Sequence, residues 1–121
     1  MPSNHRSIQD SATTLPLAGG DRDFEVEFDA PDLSGTTSTH ARPYLSYRAN
    51  PGSNAGVRLM IELNGTEIVD QTLSTTASRT LTEIFEHGVL REDDNELRVF
   101  VPNNEPGSVT ISDLVVTYSA A

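Results

Sequence analysis

Val57-Arg58-Leu59-Met60-Ile61-Glu62-Leu63-Asn64-Gly65-Thr66-Glu67-Ile68-Val69 is the stretch that decides the fold class of this chain. Val57, Leu59, Ile61 and Leu63 alternate with Arg58, Met60 and Glu62, the period-two signature of a strand with one buried face. Asn64-Gly65 follows at once. Asn-Gly suits a type I′ turn, in which both central residues need positive φ, so a tight hairpin is predicted with a return strand over about Glu67 to Leu73.

Toward the N-terminus, Asn50-Pro51-Gly52-Ser53-Asn54 forms a turn and Arg42 to Ala49 a strand candidate. Pro31 to His40 is a polar loop, and before it Phe24, Val26 and Phe28 alternate with Glu25, Glu27 and Asp29. Toward the C-terminus, Ser74 to Ser78 is a loop of small polar residues. Leu81, Ile84 and Phe85 then show helical spacing, with Thr80 and Glu83 as a capping box and Gly88 as a stop, which predicts one or two helical turns within Leu81 to Leu90. Asp93-Asp94-Asn95 is a turn, Leu97, Val99 and Val101 alternate with Arg98 and Phe100, and Pro102 to Gly107 is another turn. Val109 and Ile111 share one phase and Leu114, Val116 and Tyr118 the opposite one. That slip at Ser112-Asp113 predicts a bulge, or a bend where the strand leaves one sheet for the other. These short strands and turn signals predict an all-β fold: an antiparallel β-sandwich of the jelly-roll type with one short helical turn.

At 121 residues the chain fits one domain, and it contains no cysteine, so an apolar core has to hold it. Met1 to Gly20 is polar and without periodicity, so residues 1–20 are expected to form an extended N-terminal arm and residues 21–121 the sandwich. No stretch approaches the roughly 18 apolar residues of a membrane span, so no membrane insertion is expected. The first twenty residues lack the apolar run of a signal peptide, so synthesis in the cytoplasm is the expectation. The formal charge is -10 and all 8 basic residues are arginine. A salt-adapted (halophilic) source and GC-rich coding both produce such a composition, and an acidic surface without a basic stripe repels a phosphate backbone, which argues against nucleic acid.

From Leu59 to Tyr118 the chain resembles the second half of the galactose-binding-like jelly roll found in carbohydrate-binding modules. The residues that carry the resemblance are Leu59-Met60-Ile61-Glu62-Leu63-Asn64-Gly65, the turn at Leu81 to Phe85, Leu90 to Val101, and the closing strand Ile111-Ser112-Asp113-Leu114-Val115-Val116-Thr117-Tyr118. The resemblance implies carbohydrate-binding or adhesive roles. It also implies a structural calcium between the first strand and the last, for which Asp113 with Asp23, Glu25 or Glu27 are the candidate oxygen ligands.

Groupings that would carry catalysis are missing from the sequence. His5, His40 and His87 stand too far apart in sequence to share a metal by local spacing. No serine sits in a Gly-x-Ser-x-Gly elbow, and there is no phosphate-cradling glycine loop. No catalytic residue is therefore assigned. Asn64-Gly65-Thr66 fits the glycosylation sequon, but the hairpin already explains it. Sugar binding needs exposed rings; Phe24, Phe28 and Tyr118 lie in core phases, which leaves Tyr44, Tyr47, Phe85 and Phe100. Tyr44 and Tyr47 fall on opposite faces of one strand, so at most one of them is exposed.

These readings favour, in first place, a non-enzymatic structural or assembly module, such as a small accessory or decoration protein of a virus particle (virion) or other, extracellular, surface assembly. It would form homo-oligomers or contact other proteins through the Met1 to Gly20 arm and through edge strands. The alternative is a carbohydrate-binding or adhesive module with glycans as partners.

Overall fold

The computed structural model describes residues 3–9, 12–15, 22–31, 33, 42–51, 57–73, 79–102 and 108–119. The strands are β1 (Ser3–Gln9), β2 (Thr13–Leu15), β3 (Asp23–Phe28), β4 (Tyr44–Pro51), β5 (Val57–Leu63), β6 (Thr66–Leu73), β7 (Arg79–Ile84), β8 (Asn95–Phe100) and β9 (Val109–Ser119). They form two antiparallel sheets. Sheet 1 has the order β1-β9-β4-β7, with β2 also pairing to β9, and sheet 2 has the order β3-β8-β5-β6. The chain is an antiparallel β-sandwich of the jelly-roll type, as the alternation predicts. Most of the loops between Pro31 and His40, Asn50 and Asn54, and Pro102 and Gly107, and all of Ser74 to Ser78, lie outside the described residues.

Alternation decides which side chains enter the space between the sheets. Leu45, Tyr47 and Ala49 of β4 meet Val109, Ile111, Leu114 and Val116 of β9 from sheet 1. Opposite them stand Val57, Leu59, Ile61 and Leu63 of β5 and Leu97 and Val99 of β8 from sheet 2, all fully buried. Completely burying each such side chain contributes roughly 1.5–3 kcal/mol, which is the main term opposing chain entropy. The Asn-Gly hairpin forms as predicted, with Asn64 at φ 51 and Gly65 at φ 83.

Asp113 has φ 54, and between Ser46↔Val115 and Arg48↔Ser112 the ladder gains a residue. Here is the bulge that the phase slip predicts: one extra residue returns Leu114 to the inward side after Ile111. The alternative reading of the slip is not realised, because β9 stays in sheet 1 along all 11 residues.

Two expectations are corrected. Leu81 to Phe85 does not form a helical turn. β7 is a strand that pairs with β4, and among the described residues the helical turn expected within Leu81 to Leu90 is a 3₁₀ turn at His87–Val89. The N-terminal arm is not separate from the sandwich in its described part. β1 pairs along β9 from Ser3↔Ser119 to Gln9↔Leu114, β2 pairs Leu15 with Val109, and Leu15 is fully buried. A polar sequence can do this because a sheet edge is stabilised by backbone pairing, with few apolar anchors.

One polar network lies inside this apolar frame. Asn95 is fully buried. Its Nδ2 donates to the carbonyls of Phe28 (3.2 Å) and Arg91 (2.6 Å), and its Oδ1 accepts from Asn64 Nδ2 (2.9 Å) and the Arg91 amide (2.8 Å). Asn64 donates further to the Val89 carbonyl (2.7 Å) and accepts from the Glu96 amide (2.9 Å). All four hydrogen-bonding positions of the Asn95 amide are used, so its burial does not leave an unmet polar group.

Asn95→Ala strands the Asn64 amide, the Arg91 amide and two carbonyls. It is expected to lower unfolding stability by about 3 kcal/mol or more, read from urea titration. Leu15→Ala is expected to cost about 2–5 kcal/mol in the same measurement, as for other buried leucines; a change near zero would mean that β2 lies outside the cooperative core. The Tyr47 phenol is 2% exposed, and burial, with the Glu83 carboxylate as a smaller cause, pushes its pKa up from 10.0 to about 12. Below pH 10 both folded and unfolded chains keep it neutral; between pH 10 and 12 the unfolded chain ionises first, so stability is expected to fall across that window. Absorbance of the tyrosinate band during alkaline titration, with Tyr47→Phe as reference, checks the assignment.

Candidate functional site

Each sheet turns one row set inward and the other to solvent, so the sandwich has two outer faces. On sheet 2 the outward residues are Glu25, Glu96, Arg98, Phe100, Met60, Glu62, Arg58 and Asp70, in register across four strands. Both of its arginines are engaged by acids of the same face. Arg58 grips Asp70 through Nε (2.8 Å) and an amino group (2.7 Å), and the guanidinium holds that exposed carboxyl below the usual range. Arg98 donates to Asp23 (3.0 Å) and Glu62 (3.4 Å), and its guanidinium lies 4.1 Å from the centre of the Phe100 ring. These carboxylates, Asp23 first, hold the guanidinium charged to still higher pH than usual.

The outward residues of sheet 1 are of another kind. Tyr44, Ser46, Arg48 and Asn50 of β4 face outward while Leu45, Tyr47 and Ala49 face the core. Tyr44 is half-buried between Ile84 of β7 and Thr117 of β9. Ile84 is 62% exposed and is the one large apolar side chain so exposed among the described residues. The next rows carry Ser46 between Thr82 and Val115, then Arg48 between Thr80 and Ser112, and Asn50 beside Thr110. A hydroxyl-to-hydroxyl bond of 2.7 Å joins Thr14 to Thr110 at the far side of the face. A ring edged by an isoleucine and followed by hydroxyl, amide and guanidinium groups can accept the apolar side of a small ring compound and hydrogen-bond its polar substituents.

The candidate rings therefore separate. Tyr44 lies on an outer face. Tyr47 is in the core and cannot meet a ligand; the two share β4 at odd spacing, so one of them had to be inside. Phe85 is also buried, and Phe100 is on an outer face but lies under Arg98. The proposed calcium ligands are not brought together. Asp23 and Glu25 are on β3 in sheet 2, where Asp23 is bonded to Arg98, whereas Asp113 is exposed at the bulge of β9 in sheet 1. The strand that neighbours β9 at the start of the chain is β1, which carries none of these acids. Asp113 is accounted for by its positive φ, which aspartate tolerates better than most residues. Among the described residues no three His, Asp or Glu side chains are placed to hold a metal ion. His40 lies outside the described residues. Sequence reading missed Ser46, Arg48, Thr80 and Thr82 as companions of Tyr44. The period of two along β4 contains part of that information; the β4–β7 register supplies the rest.

No protein-family model matches the chain, and no curated protein matches it in sequence. Solved structures do match in shape. Dimeric latent PorU from Porphyromonas gingivalis superposes with a TM-score of 0.67 at 10% identity, covering 98% of this chain and 13% of PorU. The chain thus spans about an eighth of that protein's length. The CBM36-1 domain of a multidomain xylanase from the hindgut metagenome of Trinervitermes trinervoides matches with a TM-score of 0.59 at 10% identity, covering 99% of both chains. A family 29 carbohydrate-binding module matches with a TM-score of 0.55 at 9% identity, covering 97% of this chain and 90% of that one. At such identities the likeness shows the fold alone, a β-sandwich of the kind these carbohydrate-binding modules have.

Proposed function

We propose that this chain is a non-catalytic glycan-binding module whose binding surface is the outer face of sheet 1, centred on Tyr44. The observation that carries the reading is the pairing of the half-buried Tyr44 with Ile84 and Thr117, flanked by Ser46, Thr82, Arg48 and Thr80 on the adjoining rows. A pyranose has an apolar face of C–H groups and a rim of hydroxyls. Tyr44 offers a ring to the first, and the hydroxyl and guanidinium groups offer partners to the second. The match in fold to carbohydrate-binding modules over almost the whole chain supports the same reading. A net charge of -10 repels uronic-acid and sulfated polymers at long range, so neutral glycans are the expected class.

The assembly reading drew on a free arm for subunit contacts. With β1 and β2 hydrogen-bonded into sheet 1, the described part of that segment is no longer available as such an arm, and glycan binding becomes the better-supported function.

Stacking that covers one ring face, about a third of the 150–250 Å² a buried aromatic removes from water, contributes about 1.5 kcal/mol. Tyr44→Ala is therefore expected to weaken binding to a neutral polysaccharide about tenfold, measured by affinity electrophoresis against xylan, mannan and β-glucan. Phe100→Leu, on the opposite face, is expected to leave binding unchanged. Equal losses in the two variants, or release of reducing sugar by the wild-type protein, would overturn the proposal.

A further inference from the structure

The tip of the β5–β6 hairpin carries a reactivity that its role as a turn does not use. Asn64-Gly65 is the one asparagine–glycine pair in the chain. Gly65, at φ 83, is exposed, with open space where a Cβ would stand. A glycine amide nitrogen has no side chain of its own to shield it, so it can attack the side-chain carbonyl carbon of the asparagine before it. In that reaction the Gly65 nitrogen bonds to Asn64 Cγ, the Cγ–Nδ2 bond breaks, and ammonia departs with the proton that the amide loses. Water then opens the cyclic imide at either carbonyl. The product is aspartate, or isoaspartate where the main chain now runs through the side-chain carbon.

The fold holds Asn64 away from this chemistry. Both hydrogens of its Nδ2 are committed, to the Val89 carbonyl (2.7 Å) and to Asn95 Oδ1 (2.9 Å), and its Oδ1 accepts from the Glu96 amide (2.9 Å). Its own amide donates to the Glu96 carbonyl (2.9 Å), so main chain and side chain together fasten it to β8. Turning Cγ onto the Gly65 nitrogen gives up all three side-chain bonds, one of them to the fully buried Asn95. The same commitment closes Nδ2 to attachment of a sugar at the Asn64-Gly65-Thr66 sequon. The product does not fit the place that the amide leaves. A carboxylate has no hydrogen to give, and at position 64 it sets a negative oxygen against two acceptors, the Val89 carbonyl and Asn95 Oδ1. Isoaspartate also adds a main-chain carbon to the two-residue turn that fixes the β5–β6 register.

We infer that Asn64 is a fold-guarded deamidation site: protected while the hairpin is docked on β8, reactive when that end of the sandwich opens, and converted to a product that cannot rejoin the Asn95 network. Water is the only co-reactant. The conversion is one-way, so it records local opening of the network. Asn64 lies at the end of sheet 2, and the inference stands independently of glycan binding on the sheet 1 face.

The test compares the full chain with a synthetic peptide of residues 59–69 in the same mildly alkaline buffer. The peptide lacks Val89, Asn95 and Glu96, and a lone hairpin is marginal in water, so it reports the unguarded rate. Trypsin cleavage after Arg58 and Arg79 releases the segment of the full chain that contains Asn64, and mass spectrometry reads its conversion from amide to acid. The folded chain is expected to convert at least about tenfold more slowly than the peptide. Asn64→Asp, which installs one product directly, is expected to unfold at a clearly lower urea concentration than wild type. Asn50→Asp makes the same change at an exposed asparagine outside the network and is expected to keep the wild-type midpoint. Equal conversion rates in folded chain and peptide, or matching urea midpoints for Asn64→Asp and Asn50→Asp, would overturn the inference.

Discussion

A fully buried amide fixes one end of this sandwich. Asn95 joins four parts of the chain that are distant in sequence or differ in structure: the end of β3 through the Phe28 carbonyl, the segment after the 3₁₀ turn through Arg91, the β5–β6 hairpin through Asn64, and its own strand β8. The Asn-Gly turn is therefore more than a reversal of direction. Its left-handed Asn64 presents a side chain that binds Val89 and Glu96 while meeting Asn95, so the same residue closes a hairpin and positions the neighbouring strand. In an interior of low polarity such a network has a large penalty for any missing member, and it specifies one register for β5, β6 and β8.

With that register set, alternation assigns every side chain to the core or to one of two outer faces, and the faces then differ for reasons of chemistry. On sheet 2, Arg58 and Arg98 are held by Asp70, Asp23 and Glu62, with Phe100 covered by a guanidinium. On sheet 1, the rows beside the tyrosine carry hydroxyls of Ser46, Thr82, Thr80 and Ser112 together with Val115 and Arg48. Water already solvates hydroxyl groups, and exchanging that water for a sugar's hydroxyls costs little, whereas a ligand on sheet 2 would have to displace ion pairs. The open side between β6 and β7 differs again, because edge strands must discourage unwanted pairing and use buried-phase or flanking carboxylates to do so.

Much of this was legible in the sequence where a residue type has a single physical use. Asn64-Gly65 declared its turn through positive φ, and the slip between Ile111 and Leu114 declared the bulge at Asp113. The spacing of Tyr44 and Tyr47 showed that one ring had to be inside, though not which. β7 was misread for an equally specific reason: on this edge strand Glu83 takes an inward position and Ile84 an outward one, so the hydrophobicity pattern ceases to report the alternation of burial and imitates a helix. β1 and β2 carry so few apolar residues that periodicity has nothing to act on, and their place in sheet 1 is set by pairing to the long β9. Asp23 and Glu25 lie in sheet 2 and Asp113 in sheet 1, because the strand that opens the sandwich beside β9 is β1, a question of topology that no local pattern answers. The fold resemblance in the second half was legible because its turns and alternations are local; the candidate face was not, because it depends on which strands lie beside β4.

The account rests on sheet 1 presenting a ligand-ready outer face while the arginines and the exposed ring of sheet 2 are engaged with one another and with its acids. Titration of the isotope-labelled protein with a neutral oligosaccharide, followed through backbone amide shifts, tests this most directly. The account predicts perturbations concentrated on Tyr44, Ser46, Thr80, Thr82 and Ile84. Perturbations concentrated on Arg98, Phe100 and Met60, or no response to any neutral glycan, would contradict it.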